Sequence, residues 1–69
     1  MKYYIMLDTV GPATYKTDIE EYTEEELYKS IEFYRTALAF DDNLLIENKG
    51  NKFVVRTKHI VAVNHIKVE

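Results

Sequence analysis

EEYTEEELYKSIEFY, residues 20–34, decides how the chain folds, because it holds the clearest helix start in the sequence. Thr23 and Glu26 have the spacing of a capping box: the Thr23 hydroxyl accepts from the backbone N–H of residue 26, and the Glu26 carboxylate reaches back to the N–H of residue 23. With Thr23 as N-cap, Tyr22 and Leu27 take the two positions of a hydrophobic staple. Glu24, Glu25 and Glu26 then fill the first turn, where the helix dipole favours negative charge by roughly 0.3–1 kcal/mol each. Leu27, Ile31, Tyr34 and Leu38 follow as the stripe of an amphipathic helix, widened on one side by Phe33 and Ala37. Glu25 and Lys29 stand in the favourable i, i+4 order. The helix is predicted to end near Ala39 or Phe40, before Asp41-Asp42-Asn43.

Strands are expected on both sides of it. In KYYIMLD, residues 2–8, Tyr3, Ile5 and Leu7 fall on one face and Tyr4, Met6 and Asp8 on the other. Apolar residues on both faces fit a strand covered twice, or covered once by a partner. Gly11-Pro12 marks a turn, and TYKTDIE, residues 14–20, alternates as a second strand of a hairpin. After the helix, NLLIEN and NKFVVRT flank Lys49-Gly50-Asn51 and read as another hairpin. IVAVNHIKVE is the last strand; a bulge at Asn64-His65 would bring Val61, Val63, Ile66 and Val68 onto one face. The expected fold is α+β, in the order β-β-α-β-β-β: a single antiparallel sheet with one central amphipathic helix, one domain over residues 1–69.

Sixty-nine residues bury a thin core, about 60% of the surface of the unfolded chain. There is no cysteine to staple it, so stability rests on packing or on self-association. Hydrophobic residues at 46% and charged residues at 30% place the chain among globular domains. No apolar run reaches the length of a membrane span, and the expectation is a cytoplasmic protein with no membrane partner. The charge is unevenly spread. Residues 1–42 hold ten acids and four bases, for −6, and residues 43–69 hold five bases and two acids, for +3. A general nucleic-acid binder carries a stronger basic surplus.

Little in the chain suggests catalysis. His59 and His65 are not at metal-ligand spacing, and Ser30, the only serine, falls beside the helix stripe rather than with either histidine. The acids from Asp18 to Glu26 lack the alternating pattern of a calcium loop. No catalytic, metal or cofactor site is expected. Six tyrosines are a rich supply for an interface. Tyr28 stands about 100° from the Leu27–Leu38 stripe, near Glu24 and Glu32. The candidate partner surface is therefore Glu20, Glu21, Glu24, Glu25, Tyr28 and Glu32. Such an acidic, tyrosine-bearing surface suits a basic groove on another protein, including one that normally holds nucleic acid. The alternative is weak nucleic-acid binding by Lys52, Arg56, Lys58 and His59, aligned beside Phe53 as in single-strand binders.

Two resemblances extend these readings. FDDNLLIENKGNKFVVRTKHIVAV, residues 40–63, resembles the last strands of Sm-like RNA-binding proteins. Bacterial members have a Lys-His pair before an aliphatic strand, the place Lys58-His59-Ile60 takes here, although Sm-like domains put their helix first. That resemblance implies RNA binding. TYKTDIEEYTEEEL followed by a helix and NKFVVRTKHIVAV, spanning residues 14–63, resembles small proteins of Gram-positive phages and prophages. It implies no activity, but a role in binding a host or phage protein. The reading is a non-enzymatic interaction module, modulating a host protein in the host cytoplasm. It would form a homodimer through an exposed strand edge or its aromatic face.

Overall fold

A threonine hydroxyl divides what the sequence presents as one strand. The computed structural model describes residues 1–68. Its first strand, β1 (Lys2–Thr9), pairs antiparallel with β2 (Thr14–Lys16) and, further along the same edge, with β3 (Glu20–Glu21). Between them Thr17 donates its N–H to Ile5 O and accepts the Ile5 N–H on Oγ1, both at 2.9 Å. A side chain thus completes the ladder where backbone would otherwise do so. The chain then leaves the sheet over Asp18 and Ile19 and returns as β3. Three strands therefore precede the helix rather than two. The expected turn is present: Thr9 Oγ1 donates to Ala13 O at 2.6 Å, closing the loop through Gly11-Pro12.

The helix α1 (Glu24–Phe40) has the predicted bounds and the predicted capping box. Glu26 N donates to Thr23 Oγ1 at 3.1 Å, and Thr23 N donates to Glu26 Oε1 at 2.9 Å. Its inward face keeps Leu27, Ile31 and Tyr34 of the expected stripe, each half-buried, and leaves Leu38 exposed. Ala37 is the fully buried position, while Phe33 is 60% and Phe40 83% exposed. Small Ala37 lets the helix approach closely; the phenylalanines stay outside.

Two strands after the helix form their own sheet. β4 (Asn43–Asn48) and β5 (Asn51–Arg56) pair from Asn43↔Arg56 to Asn48↔Asn51. The loop is only Lys49-Gly50, with φ of 51° and 80°, the doubly left-handed turn that suits a two-residue hairpin. A short 3₁₀ turn (Thr57–His59) leads to β6 (Ile60–Lys67), which pairs antiparallel with β1 on its other edge. There are thus two sheets where one was expected. Side chains, not a ladder, join them: Asn48 Nδ2 donates to Lys16 O at 2.8 Å, and the Asp18 carboxylate accepts the Lys49 N–H at 3.0 Å. The bulge also moves. The register slips between Asp8 and Thr9 at Val61, so Asn64 and His65 pair regularly with Met6 and Ile5.

The core lies between the sheets and the helix: Ile5 and Leu7 from β1, Ala37 from α1, Leu44 and Ile46 from β4, Val55 from β5. Tyr4, Met6, Ala62 and Ile66 share the outer face of the larger sheet by register, where Lys16 Nζ stands 5.7 Å over the Tyr4 ring. Among the described residues no helix is long and apolar enough to cross a membrane.

Candidate functional site

The departure of the chain at Thr17–Ile19 opens a cleft of about 300 Å³ beside β1. Buried Ile5 and Ile46 supply its apolar part, together with exposed Leu45. Tyr22 and Tyr34 are its aromatic walls, one from the segment before the helix and one from the third turn of α1. The acidic residues Asp18, Glu20 and Glu47 border it.

These acids are not equivalent. Asp18 is committed to the Lys49 N–H, which holds the hairpin tip. Glu20 accepts a long hydrogen bond from the Tyr22 hydroxyl, 3.5 Å, and Glu47 faces Lys52 across the ladder. No ion pair neutralises Glu20 or Glu47 among the described residues. Burial holds the Tyr22 phenol above its usual range, and the Glu20 carboxylate beside it adds to the effect. Burial raises Tyr34 as well, with smaller contributions from Tyr22 and Glu20. Both rings are therefore neutral phenols at physiological pH. Their faces, the adjoining acidic residues and an apolar wall have the chemistry to accept a cation carried on an alkyl stem.

The aromatic residues continue beyond the cleft. Tyr22 meets Tyr3 edge-on at 6.0 Å, and Tyr34 meets Phe33 at 5.3 Å and His65 at 5.8 Å. Behind Tyr34, Ser30 Oγ and His65 Nε2 stand 3.0 Å apart. Burial lowers the His65 pKa, so its neutral imidazole shares this hydrogen bond. Among the described residues no carboxylate forms an ion pair with it, and the pair satisfies two polar groups at the helix–sheet junction. Ser30 and His65 are 35 positions apart. Only the pairing of His65 with Ile5, on the inner face, brings them together.

The six residues of the expected acidic surface are divided by the fold. Glu20 faces the cleft. Glu21 instead accepts the N-terminal ammonium at 2.8 Å, which holds its carboxyl below the usual value. Glu25 and Glu32 pair along the helix with Lys29 and Arg35, at 3.5 and 3.1 Å. Glu24 and Tyr28 border a separate hollow with Met1, Tyr3, Leu27 and Ile31. Tyr28 is 66% exposed there.

The basic residues are divided too. Lys52 and Arg56 share the outer face of the β4–β5 hairpin with Val54, opposite Leu45. Phe53 points to the other face, where its ring lies 5.8 Å from Tyr15. Lys58 and His59 belong to the 3₁₀ turn. The aromatic neighbour that a stacking platform needs is thus turned away from Lys52 and Arg56. Comparison with known proteins adds no relative: no family model matches the chain, and no curated protein or solved structure does so.

Proposed function

We propose that the protein is a non-enzymatic interaction module that grips a partner protein by taking a lysine or arginine side chain into the cleft between Tyr22 and Tyr34. One observation carries this reading: two neutral tyrosines, two unneutralised carboxylates and an apolar wall border a single cleft of about 300 Å³. A cation over an aromatic face is worth about 0.5–2 kcal/mol depending on its desolvation. The alkyl stem of the same side chain would lie along Leu45 and Ile46. The resemblance to small phage proteins supports a partner in the host cytoplasm with a basic groove, including a groove that otherwise holds nucleic acid. Self-association through an open strand edge belongs to the same reading, since a thin core gains from further burial.

Titration of the isotope-labelled protein with a short lysine-rich peptide tests the cleft. The amide resonances of Glu20, Tyr22, Tyr34 and Glu47 should shift, and a glutamate-rich peptide should leave them in place. Glu20→Gln with Glu47→Gln should weaken the interaction about fivefold or more, the loss of roughly 1 kcal/mol. Unshifted resonances, or shifts indifferent to both substitutions, would sink the reading.

A further inference from the structure

We infer that two copies of this chain join through β6, edge to edge and antiparallel, about a twofold axis at Asn64. The inference rests on the proposed function only for self-association, and the cleft plays no part in it.

Among the described residues β6 pairs with β1 alone. Val68 N donates to Lys2 O at 2.8 Å, and backbone polarity alternates along an antiparallel strand. Ala62, Asn64 and Ile66 therefore turn their N–H and C=O groups to β1. Val63, His65 and Lys67 turn theirs outward, and among the described residues no backbone group meets them. The same parity holds on β1, where Ile5 exchanges hydrogen bonds with Thr17 on the opposite edge. Edge strands are ordinarily blunted by proline, inward charges or a bulge along their length. Here the bulge lies at the start of the strand, at Val61, and the regular segment Ala62–Lys67 has one charge, at its end.

The surface beside this edge is apolar. Ile31 and Leu38 of α1 border a hollow with Val61 and Val63 of β6, and Val61 is 63% exposed. Its shape continues the sheet edge onto the helix flank, so one occupant would cover both.

A second copy fits because the surface complements itself. Centring the pairing on Asn64 sets Val63 against His65 of the other copy within the regular segment and carries Lys67 to its Val61, the bulged residue just before that segment. Asn64 meets its own counterpart on the outer face, and an amide is both donor and acceptor. Ala62 meets the other Ile66 on the same face. The axis also reverses the helices. Glu24 and Tyr28 lie at the end of α1 near Tyr3, and Arg35 and Leu38 at the end near Val61. Each Arg35 is thereby carried toward the other copy's Glu24 and Tyr28, opposite charge and aromatic face together. This gives exposed Tyr28 a role that the cleft does not.

Light scattering coupled to size exclusion, at concentrations up to about 1 mM, should give twice the chain mass of 8.2 kDa. Val61 is exposed, so its charged variants should keep the circular dichroism of the parent. Val61→Glu should tighten the dimer, because it faces the other copy's Lys67, and Val61→Lys should loosen it, each by about threefold in Kd. Opposite signs from the two variants support the edge and the register. A dimer whose variants move together, or not at all, overturns this edge while leaving self-association standing. A strict monomer overturns both, and a lysine-rich peptide that still shifts the cleft resonances would leave the cleft reading intact.

Discussion

β1 has two edges, and the chain treats them in opposite ways. One edge is shared by β2 and β3, two strands of three and two residues, separated where the Thr17 hydroxyl takes the place of a backbone carbonyl. The other is met by a single eight-residue strand, β6. The broken edge yields a cleft, bordered by Tyr22 and Tyr34, where the chain leaves the sheet. The continuous edge is bordered by the apolar hollow between β6 and α1, and among the described residues its own outer side is unpaired. A chain of this size thus obtains two unlike borders from one strand: a cleft where pairing is interrupted, the receptor we propose, and a continuous edge where we infer that a second copy docks. The core between them is small, six buried side chains among the described residues, so a change at the shared strand should be felt on both sides.

The largest expected effect follows from that sharing. Leu7 is fully buried and lies opposite Tyr15 of β2 and Val63 of β6. Leu7→Ala should lower stability by about 2–5 kcal/mol, transfer and cavity together, much of what a domain of this length possesses. Urea unfolding followed by circular dichroism should find most of the variant unfolded near 37 °C. A loss under about 1 kcal/mol would mean that the two edges are not supported by a common core. The next effect separates the edges. Thr17→Val keeps the volume and β-branching but removes the acceptor for the Ile5 N–H, a half-buried donor. The expected loss is about 1–3 kcal/mol. Hydrogen exchange should quicken at Ile5 and Thr17 while the amides of Ala62, Asn64 and Ile66, bonded to β1, keep their protection. Uniform acceleration along both edges would erase the distinction.

How much of this was legible in the sequence follows the range of each interaction. The capping box, the helix end at Phe40 and the Lys49-Gly50 turn depend on residues within a few positions of one another, and all were readable. The α+β class and both hairpins followed from periodicity. The division of residues 14–20 did not, because alternation in TYKTDIE is the same whether a threonine bonds through its backbone or its hydroxyl. The second sheet was hidden for a related reason: Asn48 and Asp18 join the sheets by side-chain bonds that leave no periodic trace. The bulge at Val61 rather than Asn64 depended on which residues β1 would pair with, and parity within β6 alone did not contain it. At the candidate site, Glu20 was singled out only as part of an exposed acidic surface, not of a cleft, and Tyr34 was read only as core. The Ser30–His65 contact was missed because the two meet only through the register with Ile5.

The smallest effect concerns the continuous edge and is set by pH. His65 stands on β6 against the helix, its Nε2 on Ser30 Oγ and its ring against Tyr34. Burial lowers its pKa in the folded state from the ordinary 6.5, so the unfolded chain binds the proton more readily. Stability from this residue is complete above pH 6.5 and is lost as the pH falls from there through the folded pKa. The urea midpoint should therefore drop between about pH 7.5 and 5.5, a window above the usual carboxylate range. His65→Gln keeps a partner for Ser30 and cannot titrate, so its midpoint should hold nearly level across that window. Parallel declines in both proteins would assign the pH dependence elsewhere. If the decline is confined to the histidine form, hydrogen exchange should open the β1–β6 ladder at low pH before β2 and β3 release Ile5. That order would show that the edge built from an unbroken strand carries the proton-sensitive contact, while the edge interrupted by Thr17, held by a hydroxyl that does not titrate, remains closed.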